Sequence, residues 1–377
     1  MKKTKTTIGI KVPFFPTSRE FKVIRNELHD SLDQLGESGF LILGPKVSEF
    51  EEKMAKKVNR LYCVSCASGT DAITLALQAN NIGVGDEVIL PANSYPTIFG
   101  VALSHASPVL IDVERNTANL DPKQLKKKIT HKTKAIIIVH LYGLSANINE
   151  IKSICKENKI LLIEDCAQAV GSIYKKKPVG SFGDMAIFSF YPTKNLGALG
   201  DGGAIVTNTK RTYEKLKMLR MYGERNRYDS IFVGRNSRLD EIQAAFLLVK
   251  MRYLEKWLLI RKQLATIYFN NLVQLKNLTL PLESSFGEHS FHLFVIRTKQ
   301  RNNLRKWLKE QGIETGIHYP KPIHFTTSFS YTGNKGSFPE AEQWSKEALS
   351  LPLHPFLTKK EIKYVTKQIQ QFFSKTI

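Results

Sequence analysis

The sequence predicts an α/β protein built on a mostly parallel, doubly wound sheet. Three observations carry that reading. Short, continuous apolar runs recur along the first half of the chain, at Glu87–Pro91, Val109–Asp112, Ala135–His140, Ile160–Ile163 and Met185–Phe190. Runs of this length without polar alternation read as strands buried on both faces. Helical spacing lies between them, as in Ile148–Asn158, and strand–helix alternation is the pattern of a parallel sheet. Polar and glycine-rich turns close the runs, at the sheet edge where open α/β folds bind ligands.

Taken in order, residues 1–43 read as an arm and a first helix. Ser18 is a candidate N-cap, and Phe21, Ile24, Leu28 and Leu32 fall at helical spacing. A turn at Gly39–Pro45 precedes a helix expected over Val47–Val58. An apolar strand, Leu61–Ala67, runs into Ser68-Gly69-Thr70-Asp71 and a helix carrying Ala72, Ile73, Ala76, Leu77 and Ala79. The free amides and dipole of that helix start suit an anion; an ordinary N-cap by Thr70 is the competing reading. The strand Glu87–Pro91 leads into Ala92-Asn93-Ser94-Tyr95-Pro96-Thr97. His140 ends a strand with no acid or nucleophile beside it in sequence and reads as structural.

The central stretch is Ile160–Asn208. Its first strand ends on Glu164-Asp165, and a carboxylate there is costly unless it has a partner. The next strand delivers Ser189, then turns through Tyr191-Pro192-Thr193 onto Lys194. The Gly197–Gly203 loop lacks the G-x-G-x-x-G order and precedes a strand, Gly203–Thr207, so it is not a dinucleotide fingerprint. An acid, a hydroxyl and a lysine thus meet at neighbouring strand ends. Pyridoxal phosphate chemistry needs this set: an amine for the cofactor aldehyde and an aspartate for the ring nitrogen.

Further on, Gly234-Arg235-Asn236-Ser237-Arg238 precedes a helix that can run from Leu239 towards Leu275 without glycine or proline. Asn236 alone reads equally as an Asx turn. Such a helix suits a spine between a large and a small domain, expected at 1–250 and 251–377. The C-terminal part predicts a strand Phe291–Arg297, a helix Leu304–Glu310 and a strand Ile313–Ile317. Thr358-Lys359-Lys360-Glu361 is a capping box opening a last helix with Ile362, Val365, Ile369 and Phe372 on one face.

Composition narrows the classes. With 377 residues and 42% hydrophobic content the chain reads as globular. It has no apolar run long enough to span a membrane and no apolar leader, which points to the cytoplasm. Cys63, Cys66, Cys155 and Cys166 lack a second pair at zinc spacing, so they read as buried free thiols and no metal is expected. The net charge of +21 includes Lys126-Lys127-Lys128 and Lys175-Lys176-Lys177. It serves nucleic acid or small anionic substrates equally well. No nucleic-acid motif accompanies it, so a basic nucleic-acid-binding or regulatory protein stands only as the alternative of another class.

Asp165-Cys166-Ala167-Gln168 followed by Phe188-Ser189-Phe190-Tyr191-Pro192-Thr193-Lys194 resembles the DegT/DnrJ/EryC1/StrS family of nucleotide-sugar aminotransferases. The resemblance runs from about Gly44 to about Pro355. It implies fold type I: a large domain with a mostly parallel seven-stranded sheet flanked by helices, and a smaller C-terminal α/β domain. It implies pyridoxal 5'-phosphate as cofactor, passing through its PMP form. Lys194 would hold the cofactor as a Schiff base and move the proton. Asp165 would hold the ring nitrogen, Gln168 the ring oxygen side, and Tyr95 would stack on the ring, although the adjoining Pro96 departs from the family pattern. Gly69, Thr70 and Ser189 would hold the phosphate, together with Asn236 reaching from the partner of a homodimer with shared active sites. Tyr222, His318 and Tyr319 are the implied substrate contacts. The lysine sets the chain apart from family dehydratases, which carry histidine there. The implied donor is L-glutamate. The implied acceptor is a nucleotide-linked keto-deoxy sugar, with Asn236-Ser237-Arg238-Leu239-Asp240 looking most like members acting on dTDP-3-keto-6-deoxyhexoses. A 4-keto or UDP-linked sugar is the alternative. A desulfurase of the same fold type would need an exposed catalytic cysteine.

Overall fold

The uninterrupted apolar runs form the middle of one sheet, and both of its faces are covered. The computed structural model describes residues 10–282 and 286–375; the first nine residues of the expected arm lie outside them. Seven strands build the main sheet: β1 (Tyr62–Cys66), β2 (Glu87–Pro91), β3 (Ser107–Ile111), β4 (Thr133–Val139), β5 (Leu161–Asp165), β6 (Met185–Ser189) and β7 (Gly203–Thr207). Their order is β1-β7-β6-β5-β4-β2-β3. β7 is antiparallel to β1 and β6, and every other pairing is parallel. Cys66, Pro91, Val139, Asp165 and Ser189 therefore end on one common edge.

Alternation along each strand sorts the core into two layers. Val64, Ile137, Ile163 and Ile187 face one way, onto the helices Gly69–Ala79 and Tyr95–Leu103. Cys63, Ile136, Ile138, Leu162 and Phe188 face the other, towards Pro45–Lys57 and Ile148–Asn158. Ile136, Ile137 and Ile138 are each 0% exposed, and burying such a side chain contributes about 1.5–3 kcal/mol.

A third apolar cluster lies past the sheet. The helix Glu241–Leu272 carries Leu264, Tyr268 and Leu272 onto a two-stranded antiparallel ribbon, β8 (Phe294–Arg297) with β9 (Ala348–Leu351), and onto Leu304, Ile362 and Val365. Val12 of the arm joins the same cluster. The expected division at 250/251 falls inside this single helix.

Several local expectations are corrected. The first helix starts at Thr17 with Pro16 at its N-cap, so Ser18 is inside the first turn. The strand expected from Phe291 begins only at Phe294, because Phe291 takes φ 48°, which leaves the extended region. Ile313–Ile317 is no strand: Ile313 bridges Val12 while Gly316 bridges Ser350, so its two ends pair with different segments. The capping box is formed, with the Thr358 amide donating to Glu361 Oε2 at 2.8 Å and the Glu361 amide donating to Thr358 Oγ1 at 3.1 Å. All four cysteines are free and buried, and burial pushes Cys66 and Cys155 up to about 12.

Glu164, 0% exposed, points away from the edge cavity into the second layer. It accepts the amides of Gly180 at 2.8 Å, Phe182 at 2.7 Å and Gly183 at 2.7 Å, and His140 Nε2 at 3.1 Å. The Arg60 guanidinium lies 3.7 Å away and also donates to the Gly180 and Gly183 carbonyls. Burial pushes this carboxyl up, but the donors outweigh it and leave it below its ordinary range. Glu164→Ala is expected to cost about 3–5 kcal/mol, since it strands buried amides and a cation. Urea unfolding measures this; a loss under about 1 kcal/mol would mean the cluster behaves like a surface pair.

Candidate active site

At the C-terminal edge of the sheet lies a cavity of about 320 Å³, within the size range of small-molecule sites. β5 brings Asp165 to its floor, on the face opposite Glu164. β6 brings Ser189. The chain then turns, with the Lys194 amide donating to the Tyr191 carbonyl at 2.9 Å, and presents Lys194 to the cavity. The loop is pinned where it leaves and rejoins the sheet: the Phe190 amide donates to Gly202 O and the Ala198 amide to Phe190 O, both at 2.7 Å. Asn195, buried, ties it to the Val170 and Ser290 carbonyls. Lys194 is thus held on a braced loop.

The opposite wall is the start of the helix Gly69–Ala79. Its N-cap is Ser68, whose hydroxyl accepts the Asp71 amide at 3.1 Å, so the N-cap reading for Thr70 is corrected. The Gly69 and Thr70 amides donate no hydrogen bond among the described residues, and both residues line the cavity. Two glycines make the approach possible. A Cβ on Gly69 would sit 2.8 Å from Ser189 Cβ, and one on Gly203 would sit 2.3 Å from the Ser68 carbonyl oxygen.

Of the residues singled out from sequence, Gly69, Thr70, Asp165, Gln168, Ser189, Lys194, His318 and Tyr319 all line this cavity. Tyr95 sits beside it as the first residue of its helix, between lining residues Ser94 and Pro96, with its ring 6.1 Å from that of Tyr319. Pro96 occupies the opening turn of the helix, where its missing N–H costs nothing. Asn236 and Tyr222 are exposed and are not part of the lining; the two segments are joined by the Tyr222 amide donating to Arg235 O at 3.0 Å. The turn around Gly39–Pro45 likewise stays out of the lining, its Phe40, Leu41 and Ile42 exposed.

Sequence reasoning missed several lining residues. Ser68 had a signal, the Ser-x-x-Asp spacing of a helix start. Thr97 had only its place in a Ser-Tyr-Pro-Thr turn. Phe15 and His292 had none, since they reach the cavity from distant segments.

Burial sets the electrostatics. It pushes Lys194 down to about 8, against the pull of Asp165. It pushes Asp165 up, opposed by hydrogen bonds from Thr97 and the Ala167 amide and by Lys194. It lowers His318 to about 4, helped by Lys194, and holds the Tyr319 phenol above its ordinary range. Gln168 is oriented from both ends: its Oε1 accepts the Tyr142 amide at 2.8 Å and its Nε2 donates to Tyr319 Oη at 3.2 Å. The Tyr142 hydroxyl in turn donates to the His318 carbonyl.

These residues fit pyridoxal phosphate. An amine pushed towards neutrality opens into the cavity near a buried carboxylate, and unpaired helix-start amides lie beside a serine. One trio, His140, Glu164 and Cys166, brings potential metal ligands within 4.8 Å of one another. Glu164 already accepts amides there, and His140 Nδ1 accepts the Ala146 amide at 3.1 Å, so these groups are committed to hydrogen bonds.

The lowered lysine gives a pH signature. Only the neutral amine attacks an aldehyde, and a depressed pKa moves the neutral form to lower pH. In cofactor-stripped protein the rate of pyridoxal phosphate capture should rise with pH and level off above about 8. Stopped-flow absorbance reads it; a rise continuing past pH 10, as for an ordinary lysine, would contradict the burial argument.

Residues 22–370 match the DegT/DnrJ/EryC1/StrS aminotransferase family. Over 364 residues, covering 96% of this chain and 99% of the other, the chain is 43% identical to a dTDP-3-amino-3,6-dideoxy-alpha-D-galactopyranose transaminase of Aneurinibacillus thermoaerophilus. The crystal structure of S. venezuelae DesV in complex with a ketimine intermediate is similar with a TM-score of 0.94 and 36% identity, over 96% of this chain and 98% of that one. NtdA from Bacillus subtilis, with bound cofactor PMP, is similar with a TM-score of 0.88 and 29% identity, over 97% of this chain and 87% of that one. With the likeness running almost from end to end in both sequence and fold, the chain belongs to the DegT/DnrJ/EryC1/StrS aminotransferase family.

Proposed function

We propose that this aminotransferase moves an amino group from an amino acid, L-glutamate, to the keto carbon of a dTDP-linked 3-keto-6-deoxyhexose, with pyridoxal phosphate held in the edge cavity. The observation that carries the reading is that Lys194, in the loop after β6, lines the same cavity as buried Asp165, with its amine pushed to about 8 by burial. The carbon and nucleotide rest on the likeness to the dTDP-3-amino sugar transaminase.

Pyridoxal phosphate, when bound, supplies an aldehyde to take the amino group and a ring that draws electrons from the adjoining carbon. The chain's own residues do the rest. Lys194 Nζ is partly neutral near pH 8 and is the group that moves a proton within the cavity. Asp165 holds the ring nitrogen protonated, and Gln168 addresses the ring oxygen. Gly69, Thr70 and Ser189 take the phosphate, at a helix start suited to an anion. Tyr95 covers the ring. Tyr319 accepts from Gln168 Nε2, which leaves its own proton free for a sugar oxygen. His318 stays neutral and serves as a hydrogen-bonding contact rather than a cation.

The working unit is a homodimer in this reading. Asn236 and Tyr222 are exposed and outside the lining, as residues serving a second copy's cavity must be. Among the described residues Lys194 is also the one Lys or Arg in the lining, whereas a nucleotide diphosphate brings several negative charges. Segments 1–250 and 251–377 act as large and small units, supported by the separate apolar cluster beyond the sheet. No described helix is long and apolar enough to cross a membrane, and we place the reaction in the cytoplasm.

Glutamate added to the cofactor-loaded protein should bleach a visible-violet absorbance band in favour of a near-ultraviolet one. A 3-keto nucleotide sugar should then restore it. Restoration only by a 4-keto or UDP-linked sugar would overturn the assigned carbon or nucleotide, and no band at all would overturn the cofactor. Lys194→Ala should abolish turnover. Mixing inactive Lys194→Ala and Asn236→Ala chains should restore roughly a quarter of native activity, since one site per mixed C2 dimer is intact; no recovery would argue against sharing across the dimer.

A further inference from the structure

We propose that Thr97, oriented by Ser94, is a positioning residue that keeps Asp165 ionised and aimed at the cofactor ring. This rests on the pyridoxal phosphate reading above and assigns a role to two residues outside the set of ring and phosphate contacts.

Asp165 has two acceptor oxygens. Oδ1 accepts the Ala167 amide at 3.0 Å, and Oδ2 accepts the Thr97 hydroxyl at 2.8 Å. Thr97 Oγ1 also lies 2.6 Å from Ser94 Oγ. A threonine has one hydroxyl proton, and an ionised carboxylate can only accept. The Thr97 proton therefore goes to Asp165, and Ser94 is the donor to Thr97. The relay has a fixed direction, Ser94 to Thr97 to Asp165, and these residues are only 3%, 1% and 4% exposed.

Ser94 gives up something to take part. It stands at the N-cap of the helix Tyr95–Leu103, where a serine hydroxyl ordinarily accepts an amide from the second or third helical residue. It makes no such bond. Pro96, in that first turn, has no N–H to offer. The hydroxyl is turned onto Thr97 instead, so the side chain best placed to cap the helix is spent on the buried carboxylate.

The carboxylate needs it. In a dry site each donor favours the charged form and desolvation opposes it. An ionised Asp165 is what keeps a pyridine nitrogen protonated. Removing the Thr97 hydroxyl leaves Oδ2 without its protein donor, while the backbone amide on Oδ1 remains. Asp201, His292, His318 and Tyr319 in the cavity, and His140 behind Asp165, stay the same in every variant.

The test compares cofactor-loaded wild type with Thr97→Val, Thr97→Ser and Ser94→Ala. A protonated ring nitrogen repels the proton on the lysine-bound nitrogen, so a less protonated ring moves the pH midpoint of the visible absorbance upwards. Thr97→Val should raise that midpoint by about half a pH unit. It should also slow the glutamate half-reaction roughly tenfold, the worth of one hydrogen bond to a buried charge, while the dissociation constant of the keto sugar, read in single turnovers of the second half-reaction, stays unchanged. Thr97→Ser should restore both readouts, and Ser94→Ala should move them the same way by less. An unmoved midpoint in Thr97→Val, or an effect not rescued by Thr97→Ser, would overturn the inference. Should Thr97→Val fail to fold, Ser94→Ala decides, and an unmoved midpoint there has the same meaning. A wild type that binds no cofactor would instead sink the proposed function, and this inference with it.

Discussion

Two adjacent carboxylates at the end of one buried strand organise this molecule. Neither is tolerable in a dry interior without donors, and strand alternation sends them to opposite faces. Glu164 goes to the layer where backbone amides, His140 and Arg60 meet it, and it ties the loop around Gly180–Gly183 to the sheet. Asp165 goes to the cavity, where it has the Thr97 hydroxyl and one backbone amide. One carboxylate thus stabilises the loop beyond the strand end, and the other lines the cavity at the same strand end.

The cavity works by withholding water. Desolvation is the largest influence on Lys194, Asp165, His318 and Tyr319 alike. It drives the lysine towards neutrality and keeps the histidine and tyrosine uncharged. The same dryness makes the lysine's attraction to Asp165 stronger than it would be in water. The lysine stays poised because its loop is pinned through Phe190, Ala198 and Asn195.

Much of this was legible in sequence because its signals are local. The strands Glu87–Pro91 and Gly203–Thr207 and the helix Ile148–Asn158 match their sequence readings end for end, since apolar run length and helical period mark them directly. Asp165-x-x-Gln168 and Ser189-x-x-x-x-Lys194 carried the family resemblance, and the family match from 22 to 370 agrees with it. The misreadings also have physical causes. Thr70 and Ser68 both look like caps, and only backbone geometry decides that the helix begins at Gly69. Ile313–Ile317 has strand composition, but its ends are claimed by different partners.

By itself the sequence determined the layered α/β class, the buried strands and the acid, hydroxyl and lysine carried at their ends, because burial pattern and turn chemistry are written within a few residues. Only the tertiary structure decided that β7 runs against its neighbours, that Phe15 and His292 wall the same cavity as Lys194, and that Ser94 abandons its helix cap for the Thr97–Asp165 relay. Those facts join residues far apart in the chain. For the relay the physical reason is a buried carboxylate's need for donors; for the cavity wall it is that close packing brings side chains together whatever their separation in sequence.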